Sequence, residues 1–263
     1  MFLNKYLVII KKCGSFIITK TVTIMKLKLL LLDLTLFLSL VSFTTKLKTY
    51  TSEKYSVNKQ YLKDVDVTLT VVTINKGQMK FNVSEGPSNS DFYLNANFFT
   101  QEGNPIGEVV KNGKLLNKRI NGGGFFYTIN GVPFVSTSGR PSHVDNSVQT
   151  KYVGVKNGKL NTYLFHGSLN TSKLQRQIIG KDKNGNIVIV LTDGINGITM
   201  KRLSEFALSM GLRDALLFDG GTSLDLKIND RTNTFTFKTL NSFFKKIAAI
   251  PEPPIYITGN FKN

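Results

Sequence analysis

Three Asn-Gly pairs, at 130–131, 157–158 and 184–185, each stand between two runs rich in apolar and β-branched residues. Asn-Gly suits the two corners of a type I′ turn, where φ is positive, and the twist of that turn matches a pair of antiparallel strands. The segments NGGGFFYTINGVPFV, YVGVKNGKLNTYLF and IIGKDKNGNIVIVLTD therefore predict three hairpins. Further strands are expected in VDVTLTVVTI, in QMKFNV and in FYLNANFF, an apolar run interrupted by two asparagines.

One helix interrupts this pattern. Thr199 has the hydroxyl of an N-cap, Met200, Leu203, Phe206, Ala207 and Met210 recur at helical spacing, and Gly211 supplies a stop. A buried strand, Ala215 to Phe218, follows directly. The expected class is α+β: a single domain with a mixed, hairpin-rich β-sheet and few packing helices. A chain of 263 residues is long enough to bury a real core as one domain.

The amino end reads as an address. MKLKLLLLDLTLFLSLVSFTT, from Met25, has a short positive region, an apolar stretch and small or polar residues after it, as an export signal has. Asp33 within the apolar part and the lack of an A-x-A site leave an uncleaved membrane anchor open beside a cleaved signal, with Met25 as a possible start. Residues 1–44 are assigned to this signal or anchor, 45–62 to a polar linker and 63–263 to the folded body. The expected location is exported: periplasmic, extracellular or membrane-anchored.

Lys and Arg outnumber Asp and Glu by 34 to 17, and residues 1–50 carry +7 of the net +17. The balance suits an anionic partner. No basic run interleaved with aromatics is present, so a nucleic-acid partner is not expected. Cys13 is the single cysteine and His143 and His166 are the two histidines, which leaves no disulfide framework and no thiolate or His-rich metal site. No metal and no cofactor are expected.

Several motifs fail on their surroundings. Gly122-Gly123-Gly124 leads into Phe125-Phe126-Tyr127, a strand pattern, whereas phosphate-binding glycines open a helix. DKNGN at 182–186 lacks the glycine position and closing Glu of a calcium loop. Ser142 and Ser168 lie near the histidines but in no G-x-S-x-G elbow.

LLFDGGTSLDL, residues 216–226, is different. Asp219 ends an apolar strand, Gly220 and Gly221 let backbone N–H groups approach a ligand, and Thr222 and Ser223 add hydroxyls, a set that can cradle an anionic oxygen beside a carboxylate. Such a carboxylate can donate a proton, accept one or act as a nucleophile. Arg176, just before the strand that follows LQRQ, can clamp a phosphate bidentately. Asn95, in NANFF, offers an amide for sugar hydroxyls or phosphate oxygens, and Asp193, in LTDG, is a second carboxylate at a strand end.

In this order, NANFF, RQIIG and KNGNIVIVLTDGINGITMKRLSEFALSMGLRDALLFDGGTS, the motifs resemble the phosphodiester glycosidase family over roughly residues 66 to 260. The resemblance implies a hydrolase that cleaves sugar 1-phosphodiesters in a phosphate-containing glycan or glycolipid. It places catalytic roles on Asp219, Arg176 and Asp193, and substrate contacts on Asn95, Gly220, Gly221, Thr222 and Ser223. The family's R-[ST]-A-I-G reads RQIIG here and its D-G-G-G-S reads DGGTS, differences that bear on substrate specificity. The alternative, from another class, is a non-catalytic module that binds anionic polysaccharide through the same loop.

Overall fold

The computed structural model describes residues 49–162, 167–193, 196–230, 232–238 and 251–262. The chain divides into two units, Met1–Leu47 and Lys48–Asn263. The first, with the expected signal or anchor, lies outside the described residues, as does His166. Among the described residues no helix is long and apolar enough to cross a membrane.

In chain order the body opens with β1 (Tyr50–Thr51), β2 (Tyr55–Leu62), β3 (Val67–Ile74), β4 (Met79–Ser84) and β5 (Phe92–Asn95). Next come β6 (Val109–Lys111), β7 (Lys114–Asn117), β8 (Gly124–Ile129), β9 (Val132–Ser136) and β10 (Asn146–Thr150). β11 (Tyr152–Lys156), β12 (Lys159–Leu160), β13 (Gln177–Lys181), β14 (Ile187–Asp193) and β15 (Ala215–Phe218) follow. β16 (Asp225–Asn229), β17 (Thr234–Lys238) and β18 (Tyr256–Phe261) close it. They form an eight-stranded sheet, β1-β2-β3-β14-β13-β15-β11-β12, and two five-stranded sheets, β7-β6-β10-β8-β9 and β17-β16-β5-β18-β4.

Every pairing among these strands is antiparallel. The body is thus mostly β, with antiparallel sheets in place of the mixed sheet expected, and α+β describes it only loosely. A mixed sheet needs a parallel pair, and the helix between β14 and β15 does not supply one. It carries the chain two positions across instead, so that β13 lies between β14 and β15 and opposes both.

The hairpin chemistry holds. Asn130 and Gly131 have φ of 52° and 73°, and Asn157 and Gly158 of 51° and 71°, as type I′ corners require. Asn112 and Gly113, at 50° and 75°, make a further hairpin between β6 and β7. At 182–186 the turn closes differently: the Asp182 carboxylate accepts the N–H groups of Asn184 and Asn186 at 2.9 and 2.8 Å.

Residues 55–62, expected within a linker, are the strand β2, paired with β3 along its whole length. Tyr55 and Val57 are buried, but the next position on their face is Lys59, which breaks the apolar alternation that would have marked a strand. Lys59 is tolerated there because it forms an ion pair with Asp193.

Two cores flank the large sheet. Ile187, Ile189 and Leu191 of β14 pack into one with Phe81, Phe92 and Phe126 of the smaller sheets, while Val188 and Val190 face the other with Met200, Leu203 and Phe206. The latter three belong to the helix Met200–Ser209, whose N-cap Thr199 accepts the Arg202 N–H through its hydroxyl at 3.1 Å. Burial on both faces explains why β14 reads as a continuous apolar run.

Candidate functional site

One edge of the large sheet gathers the candidate residues. Leu191, Gln177 and Phe218 lie in one row of the ladder, so the next residues outward on β14, β13 and β15 are Thr192, Arg176 and Asp219. Asp193 ends β14 one step further on. Asn95 reaches the same place from another sheet, at the end of β5.

The backbone of Asp219 is fixed on both sides. Its N–H donates to the Ala96 carbonyl at 3.0 Å. Its carbonyl accepts the Asn95 Nδ2 at 3.0 Å and the Gln177 Nε2 at 2.5 Å. Gln177 Nε2 also donates to the Asn95 carbonyl at 2.9 Å, and Asn95 Oδ1 accepts the Asp225 N–H at 3.0 Å. Asn95 is fully buried, so its amide holds the loop's two ends rather than facing a ligand. Gln177, at 1% exposure, was not singled out in the sequence. The available signal was a polar residue opening an otherwise apolar strand, QIIG.

Gly220 and Gly221 have separate reasons to be glycine. A Cβ on Gly220 would lie 2.3 Å from the Gln175 carbonyl oxygen and 3.0 Å from the Arg176 Cα, so this close approach is to the chain itself. Gly221 has open space around it but a φ of +64°, the left-handed region that side chains disfavour. Gly221 and Ser223 donate their N–H groups to Gln175 and Gly220. The backbone donors that the loop can offer a ligand are therefore those of Gly220 and Thr222. Gly220, Gly221 and Thr222 are half-buried, as is Asp219, and Ser223 is buried.

Arg176 points to the helix side of the sheet and is 5% exposed. In place of a ligand its guanidinium grips backbone: Nε donates to the Ile198 carbonyl at 2.9 Å, and Nη2 to the carbonyls of Leu169 and of Ser172, the latter at 3.0 Å. The direction follows from alternation with Ile178, which belongs to the helix-side core. Burial pulls its pKa down to about 10, so the group stays charged at neutral pH. Gly197, whose Cβ would lie 2.4 Å from the Leu174 nitrogen, closes over this segment on one side as Gly220 does on the other.

Asp193 is committed elsewhere. It follows Leu191 on the face of the smaller sheets and pairs with Lys59. Burial lowers the Lys59 ammonium to about 8, which makes the carboxylate its compensating charge. Among the described residues no group of three or more His, Cys, Asp and Glu side chains converges as a metal site would require.

The fold is similar to the catalytic domain of zebrafish N-acetylglucosamine-1-phosphodiester alpha-N-acetylglucosaminidase, auto-inhibited by its pro-peptide. The TM-score is 0.59 at 12% identity, over 80% of this chain and 83% of that one. It is also similar to a hypothetical protein from Synechocystis, with a TM-score of 0.58 at 12% identity, over 81% of this chain and 63% of that one, less than two thirds of its length. No curated protein matches in sequence. The sequence model of the phosphodiester glycosidases, a hydrolase family, matches residues 88–247, a span that includes every candidate residue above, and the chain belongs to this family.

Proposed function

We propose that this chain is an exported hydrolase that cleaves sugar 1-phosphodiester linkages in a phosphate-containing glycan or glycolipid. The observation that carries the reading is Asp219: a half-buried carboxylate at a strand end, on a backbone held by Asn95, Gln177 and Ala96, opening a loop that retains donors for an anion. A backbone held in this way keeps the carboxylate aimed without reorganisation at the reacting bond.

In this reading Asp219 is the proton-transferring or nucleophilic group. The N–H groups of Gly220 and Thr222, with the Thr222 hydroxyl, take phosphate oxygens. Asn95 and Gln177 are positioning residues acting through the Asp219 carbonyl. Arg176 acts through the backbone of Leu169, Ser172 and Ile198, and its fixed positive charge adds a favourable field for a phosphodiester. Asp193 holds β2 to β14 through Lys59 rather than sharing the proton transfer, because it lies on the other face of the sheet from the helix. Export is supported by the apolar stretch after Met25.

The test is hydrolysis of a panel of sugar 1-phosphodiesters by the full chain and by Asp219→Asn. Turnover by the parent and at least a hundred-fold loss in the variant, with folding retained, is the expected result, in the range for removal of a proton-transfer group. Binding of anionic glycan by both proteins, with turnover by neither, would establish the non-catalytic module instead.

A further inference from the structure

The far end of the large sheet carries a second polar feature. The β3–β4, β8–β9 and β13–β14 turns enclose a cavity of about 90 Å3. Its floor is apolar, from Ile74 and Phe81 among others, and its rim carries Lys76, Lys80, Lys181 and Lys262. No Asp or Glu is among its described lining residues. The site lies six residues along β14 from Asp193, about 20 Å at roughly 3.3 Å per residue.

The lysines converge because glycines let them. A Cβ placed on Gly185 would lie 3.6 Å from both the Lys76 Cε and the Lys181 Cε, so the two ammonium groups are carried to the same rim. The stem of Lys80 lies over Gly131 in the same way, with Cβ and Cγ at 3.3 and 3.4 Å from such a position. Lys181 is pulled below the usual lysine range by burial and by Lys76, against the opposing pull of Asp182. The Asp182 carboxylate is itself committed to the N–H groups of Asn184 and Asn186 and to the Asn186 side chain. Lys181 Nζ also donates to the Pro133 carbonyl at 3.4 Å and lies 5.3 Å from the centre of the Phe134 ring. Like charges held on one rim without an acid in the lining raise the electrostatic energy of the empty site, and a bound anion lowers it.

We propose that this cavity is a phosphate-binding site, separate from the Asp219 loop, that takes inorganic phosphate or a phosphate group of an anionic glycan. Its volume, about that of three waters, suits one tetrahedral anion. Ammonium groups bind phosphate as point charges, so lysines that line one cavity need no bidentate geometry. The site stands independently of the proposed hydrolysis.

The test is titration of the full chain with inorganic phosphate at constant ionic strength, followed by calorimetry and by amide chemical shifts. Saturable binding is expected, with shifts centred on Gly131, Lys181 and Gly185. Lys76→Gln with Lys181→Gln should weaken it about ten-fold or more, as loss of charged hydrogen-bond donors does. Lys114→Gln with Lys118→Gln, an equal charge change at exposed strand and loop positions, should leave it unchanged. Equal weakening in both pairs, shifts centred elsewhere, or no saturation would overturn the proposal. If the Lys76 and Lys181 variant does not fold, the shift map of the unaltered chain decides. Tighter binding of a phosphodiester oligosaccharide than of phosphate, lost in the same variant, assigns the site to the glycan, and equal affinity assigns it to the free anion. Asp219→Asn should bind phosphate here as the parent does, so a failure of hydrolysis and a failure of this site are read separately.

Discussion

The side-chain amide of Asn95 and the carbonyl oxygen of Asp219, 124 residues apart in sequence, meet in a 3.0 Å hydrogen bond. Gln177 donates to the same oxygen from a third strand. A candidate catalytic carboxylate is thus tied to two sheets through its own backbone.

Asn95→Ala removes one donor to Asp219 and leaves the Asp225 N–H without its acceptor. Unsatisfied groups in such a site cost about 1–3 kcal/mol each. Urea unfolding should register a loss of about 2 kcal/mol or more, and kinetics a fall in kcat larger than any rise in KM. A variant as stable and active as the parent would remove the positioning role.

Gln177→Leu and Gln177→Glu separate hydrogen bonding from charge. Both lose the bonds to Asn95 and Asp219, and the Glu variant also buries a carboxylate. The Glu variant should be the less stable at pH 7. It should gain on the Leu variant as the pH falls, because the buried carboxyl, its pKa raised, binds a proton that the unfolded chain does not. Parallel stability curves for the two from pH 4 to pH 7 would contradict this.

Gly220→Ala and Gly221→Ala should fail for different reasons. At Gly220 the new methyl meets backbone at 2.3 Å, and overpacking of this kind costs about 1–3 kcal/mol with displacement of neighbours. At Gly221 the space is open and the cost is the left-handed φ, about 1–2 kcal/mol. Amide shifts should move at Gln175 and Arg176 in the first variant and stay local in the second.

Asp193→Asn leaves Lys59 buried without its carboxylate. With the carboxylate present, burial already lowers that ammonium to about 8, below the 10.5 of an unfolded lysine, and loss of the carboxylate lowers it further. As the pH falls to 8 the two proteins lose stability alike, but below 8 the lysine of the folded parent has its proton while that of the folded variant has not, so only the variant goes on losing stability as the pH drops. The deficit against the parent, read by urea unfolding, should therefore be larger at pH 7 than at pH 9.5. An equal deficit at both would mean that Lys59 is not the group left exposed to the change.

What the sequence disclosed was local. The Asn-Gly corners at 130–131 and 157–158 and the Thr199-capped helix are decided within a few residues, and they stand where the pattern puts them. β2 was hidden because the charge that makes Lys59 acceptable sits 134 residues away. The antiparallel placement of β15 depends on how far across the sheet the helix carries the chain, which no residue states. At the site, the right positions were gathered, but alternation about Ile178 turned Arg176 toward the backbone, and Asn95 was read as a ligand contact because its bond to Asp219 leaves no mark in either segment.

The central claim is tested most directly by turnover of sugar 1-phosphodiesters by the full chain beside Asp219→Asn. The account predicts hydrolysis by the parent and a loss of at least about a hundred-fold in a variant that unfolds at the same urea concentration. Hydrolysis that survives the substitution undiminished would show that Asp219 does not carry the reaction.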